Sequence, residues 1–455
     1  MAVLALDVGT SSARALLHDE RGRPVDGAGA QVRYTRTRGH SGRLAEYDPD
    51  ELVDVVRAVV AEARREAGGA VDAVAVSCFW HSLVAVGADG RALTPVLGWR
   101  DTRSAAEAQE LGGRLDAETV HARTGCPLHP SYWPAKLAWL RRHEPAAFRS
   151  AARFLSFSEY VALRLGGEAH ASASMASGTG LLDVHRVEWD EELAHELGVA
   201  GRLPRVSDEP FELGGATWFP ALGDGACSNV GAGCVTADRA ALMVGTSGAF
   251  RVVATGERVP RPGLFLYRLD RERTVEGGAL SDGGNLWDWL ERTVRLEDTA
   301  GLADEPADGH GLTFLALLGG ERSPGWNAGA RGAVAGLRFE TTPRDLAHAA
   351  LEGVALRFAE IAALLPEVRE VVATGGALHR NEDWVRILAD ALGRPVALSG
   401  VAEASARGAA AVALERLGHV ADEAPLAAVY EPRPERTEAY AAARERQRRL
   451  YDALA

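Results

Sequence analysis

The stretch AVLALDVGTSSARALLHD, residues 2–19, decides how the rest of the chain is read. Residues 2–7 form a short apolar run that closes on Asp7 and is bounded by a Gly-Thr-Ser-Ser turn, the pattern of a buried strand. Residues 13–18 (ARALLH) predict a second strand, and DERGR at 19–23 a reversing turn. This is strand–turn–strand, not the strand–turn–helix that opens a dinucleotide fold. The same order returns about 235 residues later, in AALMVGTSGAFRVVAT at 240–255. There Gly245-Thr246-Ser247-Gly248 lies between two apolar runs. A repeat of this kind predicts a duplicated architecture with a ligand held between its halves.

The segments between and after these units alternate in period. Asp48 caps a helix whose Leu52, Val55, Val56, Val59 and Val60 fall on one face. Residues 71–77 read as a strand, and 104–112, 134–142, 157–165 and 190–197 as helices. The C-terminal half predicts a long helix at 343–365, a strand at 369–373, a Gly-Gly-Ala turn and a helix at 381–392. A strand at 395–399, an Ala-rich helix at 403–417 and a charged, peripheral helix at 434–455 follow. Alternating strands and helices in both halves make the fold class α/β. The expected division is 1–236 and 237–455.

Composition narrows the function. The chain has 455 residues, 50 basic against 63 acidic side chains, and a formal net charge of −13. No basic cluster could neutralise phosphates, so neither nucleic acid nor an anionic membrane is an expected partner. No apolar stretch approaches the length that spans a bilayer, and the first residues lack the charged region of a secretory leader. Four cysteines, at 78, 126, 227 and 234, form no C-x2-C pair, which fits reduced thiols in a cytoplasmic protein. Lys136 is the sole lysine, and it lies in Pro-Ala-Lys-Leu rather than Gly-Lys-Ser/Thr. A P-loop NTPase is therefore excluded. A nucleotide would have to be held by backbone amides, hydroxyls, arginine and a metal.

Three glycine turns could approach phosphate or ribose closely: Gly9-Thr10-Ser11-Ser12, Gly245-Thr246-Ser247-Gly248 and Gly375-Gly376-Ala377. Asp7, beside the first, has the position of a carboxylate that holds Mg²⁺ through water. Asp224 sits between Gly223 and Gly225, exposed enough in such a turn to act as a base. Each of these has an ordinary reading as a turn residue. Trp80 and His81 could wall a polyol pocket. Trp99-Arg100-Asp101-Thr102-Arg103 carries both charge signs and reads equally as an ion-pair cluster.

Taken in order, LALDVGTSSARALLHD, PVLGWRDTR, TGCPLHPSYWPAKLAWL, GDGACSNVGAG, MVGTSGAFRVV, SDGGNLWDWL, GERSPGWNAGARGAVAGL, ALEGVALRF and ATGGALHRNEDWVRILADALGRPV resemble the FGGY carbohydrate kinases. The resemblance is nearest to gluconokinase- and xylulokinase-type members and runs from about residue 2 to 420. It implies two actin-like (ribonuclease H-like) ATPase domains, the first binding sugar and the second nucleotide. It implies ATP as co-substrate with Mg²⁺ near Asp7, Asp224 as general base, and a sugar, sugar acid or polyol as acceptor, gluconate before xylulose. The matching substrate positions are Trp80, His81, Arg100, Tyr132 and Asp224. Nucleotide positions are Gly9, Thr10, Ser11, Ser12 and Arg14, then Gly245, Thr246 and Ser247, Gly284 and Asp288, and Gly375, Gly376, Ala377, Arg380 and Asn381. Trp80 stands where better-known members have Arg or Met. Ser172–Ser177 lacks an Asp often found there. A homodimer is left open. The competing readings are a non-catalytic sugar or nucleotide sensor on the same fold and an NAD(P)-dependent polyol dehydrogenase.

Overall fold

The computed structural model describes residues 1–34, 45–68, 71–296 and 298–454. Both strand–turn–strand units form antiparallel hairpins. In the first, β1 (Val3–Val8) pairs with β2 (Ser12–His18), placing Asp7 opposite Arg14. β3 (Pro24–Arg33) adds antiparallel to β2, and β4 (Ala73–Cys78) adds parallel to β1. The chain crosses between them through α1 (Pro49–Glu66), whose N-terminus is capped by Asp48 accepting from the amides of Asp50 and Glu51 at 3.0 Å. β5 (Phe211–Leu213), β6 (Ala216–Trp218) and the short β7 (Leu222–Gly223) complete this seven-stranded sheet.

The second sheet repeats the plan. β8 (Arg239–Val244) pairs antiparallel with β9 (Gly248–Thr255). β10 (Phe265–Arg268) and β11 (Arg273–Leu280) extend the hairpin side. β12 (Glu370–Thr374) adds parallel to β8, with β13 (Val396–Ser399) and β14 (Leu426–Tyr430) beyond it. The helix before β12 starts at Thr342, whose hydroxyl and Asp345 make a reciprocal capping box with Pro343 at the first position. An antiparallel run of strands, a helix and a parallel strand thus occur twice, the run having three strands in the first sheet and four in the second.

The hairpin at 265–280 lies outside the strands expected from the sequence, and its second arm is weakly marked. It carries Glu276, which is fully buried and paired with Arg258 at 2.8 Å, and glycines 277 and 278, packed against Phe250 and Ile361. Neither an acid nor a glycine pair advertises a strand. The last helix (Pro434–Leu454) also departs from expectation, because it is not peripheral along its whole girth. Tyr440, Ala443 and Gln447 are buried at i, i+3 and i+7. Gln447 donates to the carbonyls of Phe314 and Gly353 at 2.8 and 3.0 Å. The charged faces masked this narrow stripe.

Two helices join the halves. α2 (Asp224–Gly231) belongs to the first half by sequence and α3 (Ala404–Arg416) to the second. Gly231 lies against the Ala404 carbonyl and Gly408 against the Cys227 carbonyl, each too close to admit a Cβ. α3 also packs on β1 and β4, where Ala406, Ala409, Ala410 and Ala413 meet Val3, Ala5, Ala73 and Ala75. All four cysteines are buried and unpaired with one another, and no helix of the described residues is long and apolar enough to cross a membrane.

A methyl at the helix crossing should be costly. Gly408→Ala is expected to lower stability by about 1–3 kcal/mol or more, read as a reduced denaturation midpoint with an unchanged slope.

Candidate active site

Asp224 is the first residue of α2, at the end of β7 and at the floor of the gap between the sheets. It lines a small pocket with Trp80, His81, Trp99, Ser247, Arg251, Phe265, Tyr267 and Arg322. The pocket volume is 70 Å³, by a measure in which one water needs about 10–15 Å³. Burial raises the Asp224 carboxyl above its ordinary range; Arg251, the amides of Gly225 and Trp80, and Arg322 act against that rise. The Gly225 amide donates to it at 2.8 Å.

Trp80 fixes the shape of this floor. Its indole donates to the Ser174 carbonyl at 3.0 Å and lies against Gly178, Gly223 and Gly225, so the glycines on both sides of Asp224 are contact surfaces for one ring. His81 has a positive φ of 67°, a strained backbone for a side chain of this size. Its Nδ1–H donates to the Gly178 carbonyl at 2.5 Å, which leaves Nε2 as an acceptor. Burial, then Arg322, pushes its pKa well down, so the ring is neutral. Tyr132 is fully buried behind the pocket, its hydroxyl 2.6 Å from that of Tyr267 and its ring 5.0 Å from His81. It supports the wall from behind and is not among the lining residues.

The cations at the pocket differ from those the motifs suggested. Arg100 does not line it; its guanidinium lies 5.5 Å from the Trp99 ring. Arg103 is engaged with Asp101 at 2.8 Å and with Glu46. Lys136 donates to the carbonyls of His81 and Ser131 at 2.5 and 2.8 Å. The guanidinium groups that do face the pocket are Arg251 and Arg322. Arg251 is oriented by Asn229, whose Oδ1 accepts from Nε at 3.2 Å. Its Nη2 and the Nε of Arg322 are buried without a hydrogen-bond partner. Neither arginine has an acidic partner within ion-pair distance among the described residues. Both lie inside quoted motifs, GTSGAFRVV and GERSPGW, but nothing local announces that they would be buried unpaired.

Asp7 lies at the end of β1, next to the first glycine turn. It accepts from the Ser77 hydroxyl at 2.8 Å, and burial raises its pKa to about 6, with Asp224 contributing in the same sense. Within the turn, Tyr34 OH donates to the Gly9 carbonyl, Tyr47 OH to that of Thr10 at 3.0 Å, the Tyr34 amide to that of Ser11, and the Gly9 amide to that of Ser12. These bonds occupy the carbonyls of all four turn residues and fix its backbone. The second turn is treated alike: the Gly284 amide donates to the Gly245 carbonyl at 2.8 Å, and that of Asn285 to Thr246 at 3.1 Å. Arg14 is paired with Glu403 and reaches the Ser12 hydroxyl at 3.3 Å.

A larger cleft of 430 Å³ opens beyond this second turn. Gly284, Trp287, Asp288, Ala377, Arg380, Asn381 and Trp384 line it. Gly375 has φ of 97° and lies against Val244, and Gly376 opens the helical turn that leads to Ala377. Asn381 caps the next helix, its side chain accepting from the Trp384 amide at 3.1 Å. Ser247 lines the small pocket, while Gly245 supports Gly284 of the large one, so a single loop separates the two cavities.

This geometry accords with comparisons along the chain. Residues 2–210 match the N-terminal domain of the FGGY family of carbohydrate kinases, and residues 240–415 its C-terminal domain. A xylulose kinase of Escherichia coli (strain K12) is 30% identical, with 99% of each chain covered. The chain belongs to the FGGY family of carbohydrate kinases. A gluconokinase of Bacillus subtilis (strain 168) is 27% identical over 92% of this chain and 88% of that protein. The structure of a gluconate kinase from Lactobacillus acidophilus superposes with a TM-score of 0.91 at 27% identity, covering 100% of this chain and 98% of the other. The FGGY fold is two actin-like ATPase units, and the dehydrogenase reading is set aside.

Burial lowers the pKa of Lys136 from 10.5 to about 7. Between those values the unfolded chain binds a proton that the native state does not, so this group makes stability rise with pH across that window. The stability difference between the native sequence and Lys136→Met, from urea titrations at pH 7 and pH 9, should shift in favour of the native sequence at the higher pH.

Proposed function

We propose that this FGGY kinase transfers the terminal phosphate of ATP to a primary hydroxyl of a small open-chain sugar acid, with Asp224 as general base. The first lobe (1–236) brings Asp224, Trp80 and His81 to the acceptor, and the second (237–455) holds the nucleotide while adding Arg251 and Arg322 to the acceptor pocket. The observation that carries the reading is the juxtaposition of two cavities across one loop: the half-buried Asp224 carboxylate in the smaller, and a nucleotide-sized cleft in the larger.

Asp224 accepts the hydroxyl proton as the oxygen attacks the γ-phosphorus. The new O–P bond forms while the bond to the bridging oxygen breaks, and its electron pair leaves on ADP. Such transfers proceed through a loose transition state, so positioning and charge do the catalysis. The turns at Gly9–Ser12 and Gly245–Ser247 would receive phosphate oxygens, and Asp288, Gly375, Gly376, Ala377, Arg380 and Asn381 the adenosine. Neutral His81 would accept from an acceptor hydroxyl through Nε2. Closure of the lobes would exclude water, which would otherwise compete as nucleophile.

Asp7 fits a divalent cation. It is a half-buried carboxylate with one neutral partner beside a phosphate-type turn, a suitable outer partner for a water-coordinated Mg²⁺. When bound, that ion would neutralise developing charge on the phosphates.

Arg251 and Arg322 favour an acid over a neutral ketose. Two buried guanidinium groups with unsatisfied nitrogens and no acidic partner suit a substrate carboxylate. Gluconate is the first candidate. Xylulose is the second, supported by the full-length relative of that activity.

Asp224→Asn should keep nucleotide and sugar binding while losing about 10²–10⁴-fold in turnover; a rate within a few-fold of the native enzyme would remove the base assignment. In an ADP-release screen, aldonates should give the highest kcat/KM among gluconate, xylulose, ribulose, rhamnulose, fuculose, erythritol and glycerol. Arg251→Gln should raise KM for the acid about tenfold and leave neutral acceptors little changed. Rapid use of ketoses with acids inert would overturn the substrate class. Sugar-dependent ADP release would exclude a sensor.

A further inference from the structure

Arg14 occupies the edge of the first glycine turn, opposite Asp7, yet its guanidinium is already engaged. Nη1 is paired with Glu403, Nη2 reaches the Ser12 hydroxyl at 3.3 Å, and Nε is buried with no partner. Glu403 comes from the opposite half of the chain. It precedes α3 at the position where a side chain normally caps the helix, but its side chain caps nothing. Its neighbour Ser405 reaches the Asp224 carbonyl at 3.4 Å, so the helix start touches both the base and the first turn. The Glu403 carboxylate is 43% exposed and the Arg14 side chain 21%. A pair this open to solvent is held weakly. A terminal phosphate offers more charge and more acceptor oxygens than one carboxylate.

We propose that Glu403 is a positioning residue that holds Arg14 at the mouth of the first turn until the terminal phosphate of ATP replaces it. The inference rests on the nucleotide reading above. ATP displaces the carboxylate, and Arg14 turns from an internal ion pair to a phosphate contact. ADP lacks the group that makes the exchange, so Glu403 opposes ATP binding while leaving ADP nearly untouched. A carboxylate serving only as a structural brace would affect both nucleotides alike.

The test is equilibrium binding of ATP and of ADP, each with magnesium, to the native protein, Glu403→Gln, Glu403→Asp, Arg14→Gln and the Arg14→Gln/Glu403→Gln double variant. Glu403→Gln should tighten ATP about two- to fivefold and change ADP less than twofold. Glu403→Asp, which keeps the charge, should stay nearer the native ratio. On the Arg14→Gln background the Glu403 substitution should lose its ATP-selective effect. An unchanged ATP-to-ADP ratio in Glu403→Gln, or weaker ATP binding, would overturn the exchange. Thermal unfolding checks each variant, and Glu403→Ala repeats the measurement should Gln fail to fold. A native protein that binds neither nucleotide would sink the nucleotide cleft itself, and the exchange with it.

Discussion

Backbone meets backbone where α2 crosses α3, because Gly231 and Gly408 leave no side chain between them. The helix that begins with Asp224 is thereby keyed to a helix from the other half of the chain. A carboxylate at the start of α2 inherits its position from that crossing and from Trp80, which fills the space against Gly178, Gly223 and Gly225. Rigidity of this kind matters to an enzyme of phosphoryl transfer, where placement supplies most of the rate. It also means that the two halves are not independent units: residues 249–279 of the second sheet share a hydrophobic cluster with the first.

The gap between the sheets is electrically costly. Asp7 and Asp224 are half-buried acids raised by desolvation, and the charge of Asp224 further disfavours ionisation of Asp7. Arg251 and Arg322 bring positive charge with no acid within ion-pair distance among the described residues, and the one acid paired with Arg14 is half exposed. A structure selected for stability alone would not bury groups so incompletely matched. The two arginines that lack an acidic partner both line the pocket that holds Asp224.

Much of this was legible locally. The two Gly-Thr-Ser hairpins, Asp48 as a helix cap, the Gly375 turn and the Gly-Asp-Gly setting of Asp224 each depend on neighbours within a few residues. Relations across long separations were not legible. Arg251 and Arg322 gain their meaning only from a pocket assembled by residues as distant as Trp80 and Tyr267. Arg100 is turned toward Trp99 and does not line the small pocket, although motif position made it look like a ligand contact. The buried face of the last helix was hidden because Tyr440, Ala443 and Gln447 form too narrow a stripe among charges.

Lys136 gives the molecule an unusual chemical surface. Its ε-amine is the chain's single side-chain amine, it is 1% exposed, and it is tied to the loop that carries His81. Acylating reagents therefore meet no lysine on the outside of the folded protein. Their reaction with this residue would time the openings of the fold around His81 that bring the Lys136 amine to solvent.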